Sequence, residues 1–208
     1  MAKLSTLLLL LLLLLLGSLC SFGQSPPDLD FYVSKDNSFS FAYPDTYDLL
    51  EGEGILKRTQ GAHVGISVCD FLTAYACIVY PNDNLEHSTF EAAAFSVNGI
   101  VVTSEHSCLE FADQLPRAHG EHLAIESIHL NGQLFRHTST KTTATGHSQS
   151  TQRYRSFHKG QCYELRIAVS LSDVALSPSA SKEVSVNKDA EKALRSLERV
   201  LSSFVFAD

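Results

Sequence analysis

Few side chains in this sequence have types and spacings that could do chemistry, and the clearest of them are thiols. Cys69 and Cys77 lie eight positions apart in GISVCDFLTAYACIVYP, Gly65 to Pro81. A pair so placed is a crosslink, part of a metal site or a nucleophile. Ser67 in GISVC approaches a nucleophile elbow, but Cys69 stands where that motif needs Gly. His106 is the neighbour of Cys108 that a thiol nucleophile would use as base, without any third group to orient it. His119 and His122 in HGEH are the closest pair among nine histidines. Zinc needs three or four converging ligands, and Gly120 disfavours the helix that would present them. These residues assign no catalytic group, no metal ligand set and no cofactor.

The compartment decides between crosslink and nucleophile. Residues 1–23 carry Lys3, an unbroken Leu run from Leu7 to Leu16, and small residues at Ser21 and Gly23. This is the pattern of a secretory signal cleaved near Gly23, and it is too short for a membrane anchor. Cys20 leaves with it, so Cys69, Cys77, Cys108 and Cys162 remain in an exported chain, where an even number of cysteines favours disulfides. Four cysteines allow three connectivities. The β-rich flanks HVGISVC and ACIVY favour Cys69 with Cys77 across a hairpin, which leaves Cys108 with Cys162 by elimination.

Removing Lys3 with the leader takes the formal charge from −7 to −8. Net acidity argues against nucleic acid as a partner, since phosphate binding needs a concentrated basic face. The expected organisation is a signal peptide at 1–23, a flexible Pro-containing leader at 24–36 and a single α+β domain at 37–208.

Two turn signals organise the second half. Asn131-Gly132 and Lys159-Gly160 each separate alternating runs, and Asn-Gly suits the type I′ turn of a hairpin. Nine of the 14 residues from Thr138 to Thr151 are Ser or Thr, which marks the solvated end of a third hairpin and completes a four-stranded meander. FSFAYP at Phe39 to Pro44 reads as a strand, as do Tyr47 to Leu50, Ile55 to Arg58, His63 to Cys69 and Tyr75 to Tyr80. Residues 89–97 favour strand over helix, and Thr103 or Ser104 caps a short helix carrying Cys108. Asn187 caps a last helix whose Ala190, Ala193, Leu194, Leu197, Val200 and Leu201 form one apolar stripe. FVF at 204–206 adds a closing strand.

Counting from the turns places charged groups together. Glu126 falls opposite His137, a carboxylate beside an imidazole that could exchange protons. Arg155 falls opposite Glu164 and Arg153 opposite Arg166, on the sheet face away from Tyr163 and Leu165. Arginine forks suit carboxylates and phosphates, so Arg153, Arg155 and Arg166 form a candidate docking patch on a solvated face.

The FSFAYP strand, the antiparallel middle and a last helix running into SFVF together resemble the PsbP-like domain of exported bacterial proteins. That resemblance implies an α/β/α sandwich, with an antiparallel sheet and the C-terminal helix packed across it, in an accessory or binding module. It supplies no catalytic motif that this chain matches. The expectation is therefore a secreted or periplasmic, disulfide-stapled binding domain whose partner is a protein or an anionic ligand. The sheet face or the 172–187 loop would make the contact. The alternative is a small metal-dependent or hydrolytic enzyme using His and Glu residues of the second-half sheet.

Overall fold

The computed structural model describes residues 28–55, 68–69, 73–81, 89–110, 125–144, 146–172 and 183–207, with the backbone alone at 144 and 183–187. The expected signal peptide, Ser67, His119, His122 and most of the 172–187 loop lie outside the described residues.

Both sequence turns close hairpins, through positive φ at Asn131 (48°) and Gly132 (83°) and at Lys159 (47°) and Gly160 (84°). They join β6 (Glu126–Leu130) to β7 (Gln133–Ala144) and β8 (His147–His158) to β9 (Gln161–Ser172). The Ser/Thr-rich segment forms the β7–β8 hairpin, and the four strands are an antiparallel meander. The meander is part of a larger seven-stranded sheet. β3 (Asp48–Leu50), β4 (Ala74–Val79) and β5 (Phe90–Ile100) extend it to the order β3-β4-β5-β9-β8-β7-β6.

One face of this sheet is apolar. Phe95, Val97, Phe135, Tyr163, Leu165 and Ile167 meet Ala193, Leu197, Val200 and Leu201 from α2 (Glu183–Ser203). The apolar stripe of the last helix thus lies across the sheet, and the fold is α+β. The helix begins four residues before Asn187. Asn187, expected to cap it, therefore lies inside the helix.

A second sheet, unanticipated as a separate layer, covers the remainder of the core. β10 (Val205–Phe206) pairs with β2 (Phe39–Pro44) and not with the large sheet, and β1 (Leu29–Val33) occupies the other side of β2. Phe39, Phe41 and Tyr43 point inward from β2, and Phe39 stacks on Phe204 with ring centroids 5.5 Å apart. Residues 24–36 were expected to be a flexible leader, but β1 lies within them. Alternation in LDFYV puts Tyr32 inward, 6% exposed, while Leu29, Phe31 and Val33 face out.

Two further strand assignments are corrected. Gly52 adopts φ 47°, and residues 53–55 form a helical turn closed by Ile55 N–H to the Gly52 carbonyl at 3.2 Å, so Ile55 is not in a strand. Cys69 sits in a bend, not in a strand paired with β4. Both edges of β4 are already occupied, by β3 and β5, which leaves no edge for the expected hairpin partner.

Candidate functional site

The face of the large sheet opposite α2 carries the charged groups, and strand register fixes how they meet. Asn98, Glu164, Arg155 and Arg136 form one row across β5, β9, β8 and β7. Ser96, Arg166, Arg153 and Thr138 form the next. The facing pairs counted from the sequence are therefore those of the structure. Their environment is not the solvated face that was expected. Arg155 is 6% exposed and Glu164 7%.

Pairing makes that burial tolerable. Arg155 Nε donates to Glu164 Oε2 at 2.7 Å, and Arg153 Nε lies 3.7 Å from Glu164 Oε1. Arg153 also donates to Thr140 Oγ1 at 2.9 Å, and Arg166 to Gln149 Oε1 at 3.4 Å. Arg136 reaches Ser127 Oγ at 2.7 Å and Glu110 at 3.7 Å. An arginine removed from water is stable only when a carboxylate and hydrogen bonds replace its hydration. Within the candidate docking patch Arg155 is thus buried on Glu164, while Arg153 and Arg166 are half-buried and internally partnered. Alternation shows which residues share a face, but not which polar face the chain will cover.

Both disulfides fasten this same face. Cys69 bonds to Cys77 on β4, which neighbours Ser96, and Cys108 bonds to Cys162 on β9. Cys108 rides on α1 (Glu105–Leu109), which lies against β8 and is capped by Ser104 accepting from Ser107 N–H at 3.1 Å. The thiol-nucleophile reading of Cys108 with His106 is therefore closed, because Cys108 Sγ is already bonded.

Sequence counting missed one acid/base pair. A register shift between Phe90 and Ala92 forms a bulge at Glu91. Glu91 Oε1 lies 2.6 Å from His147 Nδ1, and its Oε2 accepts from Ser170 Oγ at 2.9 Å. Bulges commonly re-aim a side chain, and no turn count from the second half could have reached residue 91. Ser170 donates to the carboxylate and not to the imidazole, so the trio lacks the hydroxyl-to-base contact of a nucleophilic triad. The pair that was counted, Glu126 with His137, is looser at 3.8 Å. His137 stacks on Tyr154 instead, with centroids 4.5 Å apart. Burial, and secondarily the charge of Glu198, pushes the Tyr154 hydroxyl up to about 12.

A cleft of about 340 Å³ opens where the β7–β8 hairpin runs beyond the cover of α2. Ser139, Ser150 and Gln152 line it beside Ile167, Val169 and Leu171 on the sheet, and Ala190, Glu191 and Leu194 line it from α2. The hydroxyl-rich stretch thus replaces apolar residues on the core face and leaves a space of mixed apolar and polar lining with one carboxylate, Glu191, at it. Among the described residues no three His, Cys, Asp or Glu side chains converge as metal ligands, and no helix is long and apolar enough to cross a membrane.

The chain matches no protein-family model and no curated protein sequence. Solved structures similar to it include LpqN of Mycobacterium tuberculosis, described as involved in cell envelope biogenesis, at 11% identity over 89% of this chain and 88% of that one, with TM-score 0.45. Cyanobacterial PsbP from Synechocystis sp. PCC 6803 is 15% identical over 92% of this chain and 100% of its own, with TM-score 0.39. The Ran-binding protein Mog1p of Saccharomyces cerevisiae is 9% identical over 88% and 97%, with TM-score 0.39. These likenesses concern the arrangement of elements and assign no residue a role.

Proposed function

We propose that this chain is an exported, disulfide-stapled accessory domain that acts by binding a protein partner. The observation that carries the reading is how the charged face is used. Glu164 holds Arg155 and Arg153, and Glu91 holds His147 and Ser170, so the ionisable side chains serve one another within the fold. The same pairing disfavours an anionic ligand, which would have to compete with Glu164 for the arginines. The α2–sheet cleft is the contact site in this reading. Its mixed lining suits an inserted apolar side chain against Ile167, Val169, Leu171 and Leu194, whose backbone hydrogen-bonds to Ser139, Ser150 or Gln152, with Glu191 at hand for a basic neighbour.

The test is capture of partners from the native envelope by wild type and by Ala190→Trp, which fills the cleft from a half-buried position on α2. A partner retained by wild type and lost from a variant that melts normally supports the reading. The enzyme alternative rests on the 2.6 Å contact between Glu91 and His147. It prevails if purified protein turns over generic ester, phosphate or glycoside substrates and Glu91→Gln abolishes that turnover.

A further inference from the structure

β1 is the outermost strand of the small sheet, whose order is β1-β2-β10. Ser34 N–H bonds to the Phe39 carbonyl, and the Asp28 carbonyl accepts from Asp45 N–H. Main-chain groups in an antiparallel pair alternate in direction. Those of Asp30 and Tyr32 therefore point toward β2, and those of Leu29, Phe31 and Val33 point away from the sheet. The same three residues carry the exposed side chains, at 52%, 75% and 55%, on the face backed by Ala42 and Pro44. Natural edge strands are normally blunted by a Pro, a Lys, a bulge or a charge on the inward face, and of these β1 has only Asp30, on the face of Tyr32. Leu29–Val33 contains neither Pro nor Lys, and its pairing with β2 is continuous.

We propose that this edge is the seam of a symmetric dimer, in which β1 pairs antiparallel with β1 of a second copy about a twofold axis through Phe31. The sequence of the strand is what selects a second copy as the occupant. Leu29, Phe31 and Val33 are symmetric in character about Phe31, as the self-complementary patch of a twofold interface must be. Centring on Phe31 sets Leu29 opposite Val33 of the second copy and Phe31 opposite itself. Every outward-facing main-chain group then meets another, and the apolar side chains form cross-strand pairs. Charge fixes the direction. Asp28 and Asp30 stand at one end, and Lys35 beside Asp36 at the other, so antiparallel pairing keeps the two acidic ends apart, whereas parallel pairing stacks them on one another. The result joins two three-stranded sheets into one of six strands and leaves the α2–sheet cleft open.

The register makes the test specific. Facing residues of a hydrogen-bonded antiparallel pair have Cα atoms about 5.5 Å apart, within the range of roughly 4.4 to 6.8 Å that a disulfide spans. The full chain, purified after export, should double in mass with rising concentration in light scattering, and Val33→Lys should keep it at one chain. Phe31→Cys should form a disulfide dimer in air, Leu29→Cys should not, and Leu29→Cys with Val33→Cys should. Exposure of all three positions keeps these variants folded, which a melting curve verifies. A wild-type mass of one chain at every concentration overturns the dimer. Equal crosslinking at positions 29 and 31 overturns the register.

Discussion

The side-chain amide of Asn131 donates to the backbone carbonyl of Phe204 at 2.8 Å, and also to that of Ser202 at 2.9 Å. One residue therefore adopts the left-handed backbone of the β6–β7 turn and closes the end of α2, 71 residues further along the chain. Asn131→Gly keeps the turn geometry but removes both donors. It should destabilise the protein by about 1 to 2 kcal/mol, read from urea unfolding at pH 7. An unchanged midpoint would mean that water replaces the amide without cost.

The disulfides should differ in worth. Cys69–Cys77 spans 8 positions and Cys108–Cys162 spans 54. Loop-closure entropy assigns about 2.5 kcal/mol to the first and about 4 kcal/mol to the second. Replacing each pair by Ala should lower stability in that order, and maleimide should label no thiol in the oxidised wild type. The reverse order would show that local packing around Cys69 outweighs chain entropy.

Glu164 is the hub of the arginine ladder. Glu164→Gln keeps its shape and removes the charge, leaving Arg155 and Arg153 without that carboxylate, and should cost about 3 to 5 kcal/mol. Arg155→Met together with Glu164→Leu should recover most of the loss, because a buried ion pair is often replaceable by apolar groups of similar volume. Chemical denaturation of the three proteins reads both effects. A single variant as stable as wild type would place the ladder in contact with water.

Tyr154 supplies a pH signature. Its hydroxyl is raised from 10 to about 12 in the fold, so the folded state holds a proton that the unfolded chain releases. That contribution is complete below pH 10 and disappears as pH rises toward 12. Tyr154→Phe should flatten the decline of the melting temperature across this window. Parallel curves for the two proteins would show that Tyr154 ionises as freely folded as unfolded.

How much was legible depended on whether the signal was local. Asn131-Gly132 and Lys159-Gly160 specify positive φ within two residues, so the meander and the pairings of Arg155 with Glu164 and Arg153 with Arg166 follow by counting. The stripe through Leu197 is equally local. The partners of β5 were not legible, since β9 joins it from about 70 residues away and nothing near Phe95 names Ile167 as its opposite. Glu91 needed a bulge that leaves no mark in composition. The burial of Arg155 depended on what covers a polar face, which two-residue periodicity does not contain.

The placement of the two disulfides governs how the chain responds to force. Pulled at Asp28 and Ala207, the chain is loaded through β1 and β10, both flanking β2, and the β2–β10 seam has two residue pairs, Val205 with Ser40 and Phe206 with Phe39. That seam should part first. Beyond it, the 8 and 54 positions inside the disulfide rings remain locked, withholding about 210 Å of contour at roughly 3.4 Å per residue. Single-molecule stretching would register that length only after a reductant is added, so oxidised protein yields early under tension but falls short of full extension by that amount.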